Sequence, residues 1–252
     1  MTAMPLTRPR HWVRWLLVAI AGLVVLAAAG PFIYIHFFDG STPAALSLSP
    51  ASTPASTSGS TASGTPASIA TASSAAAGSV GGTWTAGSGS IVGYRVNEVL
   101  LGQSATAVGR TTSVTGHLTI TGTTVTATAF SVPMATVHSD KSQRDAQFDG
   151  RIMDVSQYPA GTFTLTSPID LAPLPAAGVI KEYTAHGDLT LHGTTRAVTF
   201  TLTAERKGSQ IEVAGDIPVL FADYNIQNPS FAGFVTTQDH GLLEFLLVFN
   251  RT

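Results

Sequence analysis

The chain has 252 residues, enough for one or two domains. Only 11% are charged, the formal net charge is −2 and there is no cysteine, which excludes a disulfide framework, a thiolate nucleophile and a thiolate-ligated metal. From Thr83 onward ten Lys and Arg stand against fourteen Asp and Glu, which argues against a nucleic-acid partner, since phosphates select a basic stripe.

After a short tail, residues 1–14, the stretch Trp15 to Ile35 reads WLLVAIAGLVVLAAAGPFIYI, twenty-one residues without a charge. At about 1.5 Å per residue it covers a hydrocarbon core of ~30 Å. In lipid a helix satisfies its own backbone, so a membrane helix is expected over 15–38. Arg8, Arg10 and Arg14 precede it and only Asp39 follows closely. The positive-inside rule then leaves the tail in the cytoplasm and places everything after Asp39 outside the cytoplasmic membrane. A cleaved signal peptide is the competing reading, with Ala27-Ala28-Ala29 as its small residues. The apolar run continues past them through Pro31 to Ile35, beyond the ~7–15 residues of a signal core. Either reading exports the rest of the chain.

Residues 39–82 are mostly Ser, Thr, Ala, Pro and Gly, with no charge between Asp39 and Arg95. Such a segment buries too little apolar area to offset its ordering entropy. It is expected to be a disordered tether spanning roughly 35 Å as a coil.

From Thr83 to Thr252 the texture is that of strands. Val198, Phe200 and Leu202 alternate with Thr199, Thr201 and Thr203. Leu189 and Leu191 alternate with Asp188, Thr190 and His192, and Phe163 and Leu165 with Thr162, Thr164 and Thr166. Period two with β-branched residues marks half-buried strands. Breaks at Thr115-Gly116, Thr121-Gly122, His192-Gly193 and Lys207-Gly208 suggest an all-β antiparallel sandwich or a barrel of about eight strands. One segment, Ser142 to Val155, instead sets Phe148, Ile152 and Val155 on a helical face, with Ser142 and Asp145 resembling a capping box.

Gly187 to Val198 reads GDLTLHGTTRAV, Arg144-Asp145 opens the segment of helical pattern, and Asp154-Val155, Tyr158-Pro159 and Thr162-Phe163 follow in order. Together these stretches resemble the YceI-like family of polyisoprenoid-binding, lipocalin-like proteins, with its G-x-L-T-L-H-G-x-T-(K/R)-x-V signature, its R-D helix and its D-V-x-x-Y-P-x-x-T-F run. Ile217 to Tyr224 resembles a late segment of the family without its arginine, Leu220-Phe221 standing there. Gly89-Ser90, Gln147-Phe148 and Ile152-Met153 also depart from the usual residues. The resemblance runs from about Trp84 to Phe249. It implies a lipocalin-like antiparallel barrel whose interior holds a long isoprenoid chain, quinone or polyprenyl in type, as ligand and with no cofactor.

The lining expected on that basis is Tyr94, Leu118, Ile120, Phe148, Ile152, Phe163, Leu165, Leu189, Leu191, Phe200, Leu202, Phe221, Phe231, Phe234 and Phe245. The bland alternative is that these side chains fill a solid core. His138 and Arg144, beside Asp140 and Asp145, are candidates for touching a head group; alternatively, Arg144 pairs with a local carboxylate and fixes the helix. His186, Asp188 and His192 share strand parity, but six residues along a strand span about 20 Å, so the two histidines cannot share a metal. Neither a G-x-S-x-G elbow nor an H-E-x-x-H helix is present. The expectation is a non-enzymatic, membrane-tethered carrier or sequestering protein of the cell envelope. The rivals are an envelope interaction module with a solid β core and an enzyme acting on a lipid or quinone.

Overall fold

The computed structural model describes residues 42–48, 79–100, 102–230 and 235–252, together with Leu16, Val18 and Ile20. Its strands are β1 (Gly82–Ala86), β2 (Ile91–Leu100), β3 (Gln103–Thr111), β4 (Thr115–Thr121), β5 (Thr124–Pro133), β6 (Ala160–Leu165), β7 (Ile169–Asp170), β8 (Lys181–Leu191), β9 (Thr194–Lys207), β10 (Gln210–Leu220), β11 (Val235–Thr237) and β12 (His240–Arg251). They form one sheet in the order β1-β4-β5-β6-β8-β9-β10-β12, and β1 pairs with β12 to close the ring. The expected antiparallel barrel is therefore present, with eight strands around its circumference. β2 continues the position of β1 along β12, and β3 that of β4. Closure removes the free sheet edges that would template aggregation.

Local chemistry sets the corners. At the end of β8, His192 and Gly193 take φ of 46° and 69°, the two-residue turn whose twist matches the flanking strands. This fixes the register Leu191↔Thr194 and keeps Ala185, Gly187, Leu189 and Leu191 on the inner face.

The expected helix is shorter and less regular than its pattern. Ser142–Gln147 is α-helical, Phe148–Ile152 forms a π turn, and Asp154 at φ 40° ends the segment before Val155. The capping box does not form. Lys141 is the N-cap and makes no side-chain cap bond, while the Asp145 carboxylate turns back to accept from Ser139 N and Oγ, both at 2.7 Å. Asp145 thus holds the loop entering the helix and not the helix's own first amide.

Apart from Leu16, Val18 and Ile20, which are helical and exposed, the expected membrane segment lies outside the described residues. Among the described residues no helix is long and apolar enough to cross a membrane. Within the expected tether, residues 42–48 behave differently from a free chain. Leu48 is buried, and the carbonyls of Pro43 and Ala44 accept hydrogen bonds from Arg95 and Arg110. At the tether's other end, Gly82 already belongs to β1.

Candidate functional site

The barrel is hollow. Its inner faces enclose a cavity of about 340 Å³, within the range of pockets that hold small ligands. A solid core, the bland alternative, would leave no such space. Tyr94 on β2, Leu118 and Ile120 on β4, Phe163 and Leu165 on β6, Leu189 and Leu191 on β8, Phe200 and Leu202 on β9, and Phe245 on β12 all line it. Phe148 and Ile152 close it from the helix, and Phe221 from the turn after β10. Phe231 and Phe234 lie outside the described residues. The rings of Phe163 and Phe200 meet edge-on at 5.5 Å, and those of Phe200 and Phe245 at 5.8 Å, so the wall is held in a packed aromatic row.

The cavity is long. Tyr183 and Leu191, eight residues apart on β8, both line it, a run of about 26 Å along the strand. One end lies under the helix. The other is framed by Leu171, Leu174, Pro175 and Arg206.

Lining residues missed in the sequence include Phe130, Ile211, Leu243, Leu247 and Phe249. On β12 the reason is visible. The run LLEFLLVF is apolar on both faces, so Leu243, Phe245, Leu247 and Phe249 could not be separated by alternation from the outward Leu246 and Val248.

Polar groups gather where the helix meets the barrel. Arg144 contacts Asp140 at 2.5 Å and Glu98 at 3.5 Å, and both Arg144 and Glu98 line the cavity. Burial works against the Arg144 charge, but Glu98 and Asp140 outweigh it and hold the guanidinium above its ordinary value. Tyr94 stacks on Phe148 at 5.1 Å. Its phenol is pushed up to about 12, mainly by burial, with Arg144 opposing and Asp145, Glu98 and Asp140 reinforcing. It is therefore a neutral hydroxyl throughout the physiological range. The Thr237 hydroxyl, buried and without a hydrogen-bond partner, also lines the cavity, and its residue pairs with Glu98 across β11 and β2. Glu98 and Thr237 carried no sequence signal, because Glu98 meets Arg144 across the fold and only the β2–β11 pairing sets Thr237 beside Glu98.

His138 does not line the cavity. Its backbone bridges to Arg110, and its exposed ring pairs with Asp145 at 3.4 Å, so of the two head-group candidates only Arg144 reaches the interior. His186 lies on the outer face and bonds to Thr199 at 2.9 Å. His192 bonds to the Tyr224 carbonyl at 3.2 Å. Among the described residues no cluster of His, Asp and Glu could hold a metal ion.

Apart from Leu189 and Leu191, which line the cavity, the signature stretch 187–198 serves the scaffold. A Cβ on Gly187 would sit 2.3 Å from the Phe163 ring, and one on Gly193 2.4 Å from the Tyr158 ring. Tyr158 meets the His192 ring edge-on at 4.6 Å, and Arg196 donates to the Asp223 carbonyl at 2.8 Å.

A family model described as the YceI-like domain matches residues 84–249. No curated protein sequence matches the chain. Among solved structures, a polyisoprenoid binding domain from Saccharophagus degradans is 16% identical, with a TM-score of 0.56 over 68% of this chain and 98% of that one. BcnA of Burkholderia cenocepacia is 19% identical with a TM-score of 0.48, covering 62% of this chain and 95% of that one. A YCEI protein of Campylobacter jejuni is 13% identical with a TM-score of 0.48, covering 57% and 84%.

Proposed function

The chain belongs to the YceI-like family, and from that premise we propose that its barrel is an extracytoplasmic binding site for a long isoprenoid-type lipid, tethered to the cytoplasmic membrane through Trp15–Ile35. The observation that carries this reading is the elongated cavity lined mainly by Leu, Ile, Val and Phe. An isoprenoid tail gains about 0.8 kcal/mol per CH₂ moved from water into such a channel, less the cost of ordering the chain. The polyisoprenoid-binding relative of similar fold supports the choice of lipid.

The polar end favours a neutral head group over a phosphate. Arg144 already faces Glu98 and Asp140, and Asp145 stands beside them, so an added anion meets more negative charge than positive. A quinone carbonyl instead finds donors in the Tyr94 and Thr237 hydroxyls. The role is binding, as carrier or store, and not turnover: His138, His186 and His192 each point away from the cavity to partners of their own.

Native mass spectrometry of the gently purified chain tests this. The expected spectrum carries an adduct with the mass of a prenylated quinone, retained at low activation energy. Protein that is empty in every preparation, and stays empty when offered such a quinone, overturns the reading.

A further inference from the structure

The outer face of the barrel carries a second built site. β3, β2, β12 and β10 lie side by side, and register aligns Arg110, Gly93, Glu244 and Asp216 in one row across them. Gly93 has no side chain to occupy the middle of that row. A Cβ there would sit 2.9 Å from Arg110 Cγ, so the gap lets Arg110 reach over β2 to Glu244 at 3.3 Å. Arg95, one residue pair along, donates to the same carboxylate at 2.5 Å. The Glu244 side chain is only 4% exposed, an unusual state for a carboxylate on the outside of a barrel. A charge cluster out of water is costly unless its remaining donors are satisfied. Here the two Nη2 groups, which also contact Glu244, meet residues 42–48 as well: Arg95 Nη2 donates to the Pro43 carbonyl at 2.8 Å and Arg110 Nη2 to the Ala44 carbonyl, while Arg110 Nε is buried without a partner. Apolar burial accompanies this. Leu48 is buried, and Val108, which shares the outward parity of Arg110, is buried too.

We propose that residues 42–48 (TPAALSL) are an intramolecular strap, and that Arg95, Arg110 and Glu244 form the clamp that receives it by its backbone carbonyls. Seven residues held by two hydrogen bonds and a leucine make a weak ligand in free solution. Connection through the thirty residues from 49 to 78 makes docking intramolecular, so weak contacts suffice. The consequence for orientation rests on the membrane-anchor reading; the docking itself does not. With an anchor ending at residue 38, only residues 39–41 separate the membrane from the strap, so the β2–β3–β12 face is held at the bilayer and not at the end of a long leash.

The chain has no cysteine, so a single nitroxide on Ala45→Cys in the full chain reports the strap alone. In detergent its electron paramagnetic resonance spectrum should show a slow component with a correlation time several-fold longer than that of a label at Ser58→Cys. The slow component should vanish in R95A/R110A and equally in L48S, a change in the strap that leaves the barrel untouched. A fast label in the parent chain, or a slow one that survives both variants, overturns the proposal. A slow component that fades on dilution also overturns it, since the strap then docks on a second copy. Flotation with lipid vesicles reads the anchor separately: a chain that fails to float while its strap label stays slow refutes the anchor and leaves the docking standing.

Discussion

On β8 the inward residues Ala185, Leu189 and Leu191 line the cavity, while just beyond its end His192 and Gly193 make a turn that touches none of it. The cavity wall is set mainly by apolar side chains at every second position, and only a few of them, such as Leu189 and Leu191, fall within the signature. The hairpin carries the family's most recognisable sequence, and its residues seat Tyr158, Phe163 and the Asp223 carbonyl. Recognisable sequence here records how the barrel is held closed. What the barrel holds is written in parity and volume, which many sequences satisfy equally well.

That division can be broken from either side. The largest effect is expected from obstructing the channel. Ala185 is 1% exposed and lines the cavity, so Ala185→Phe puts a ring where the tail would run. Displacing two buried CH₂ groups alone weakens binding about tenfold. Titration with a prenylated quinone should show at least that loss, with a small change in melting temperature. Gly187→Val attacks the scaffold instead. Its side chain meets the Phe163 ring at 2.3 Å, and overpacking of this kind costs about 3 kcal/mol. Urea denaturation should report that loss, while the fraction still folded keeps its lipid.

Smaller effects sharpen the account of the polar end. The Tyr94 phenol is pushed from 10.0 up to about 12 in the folded chain. An unfolded chain releases this proton from pH ~10 upward, whereas the folded chain keeps it. Stability is therefore intact below about pH 10 and falls as the pH climbs towards 12, by about 2–3 kcal/mol. Denaturation midpoints across this window should show the decline, and Tyr94→Phe should flatten it. Smallest is Arg144→Ala, which leaves the largely buried Glu98 without its cation at a cost of about 1–2 kcal/mol. Stopped-flow release of a quinone probe should accelerate a few-fold, with partial recovery in Arg144→Lys.

How far this was legible in the sequence follows the same line. The alternation of Phe163 with Leu165, and of Leu189 with Leu191, placed those side chains together, and they share the inner wall. Alternation failed on β12, where both faces are apolar, so that Phe245 alone was expected of its inward residues; Phe148, expected from a helical face, lines the cavity although the helix widens into a π turn there. Glu98 and Thr237 were invisible because the helix packing over β2 and the β2–β11 pairing, not sequence distance, set their places. Residues 42–48 have the composition of a free linker, and only Leu46 and Leu48 set them apart. Gly93 read as one glycine among many until the register put it between Arg110 and Glu244.

The channel itself is tested most directly by where a lipid tail touches the wall. A quinone bearing a photoreactive diazirine along its prenyl chain should, after irradiation and peptide mapping, label inward residues such as Leu189, Phe200 and Phe245. Labelling confined to outward neighbours such as Thr190, Thr199 and Leu246, or no labelling above that of a head-group-only probe, would contradict a tail threaded through the barrel.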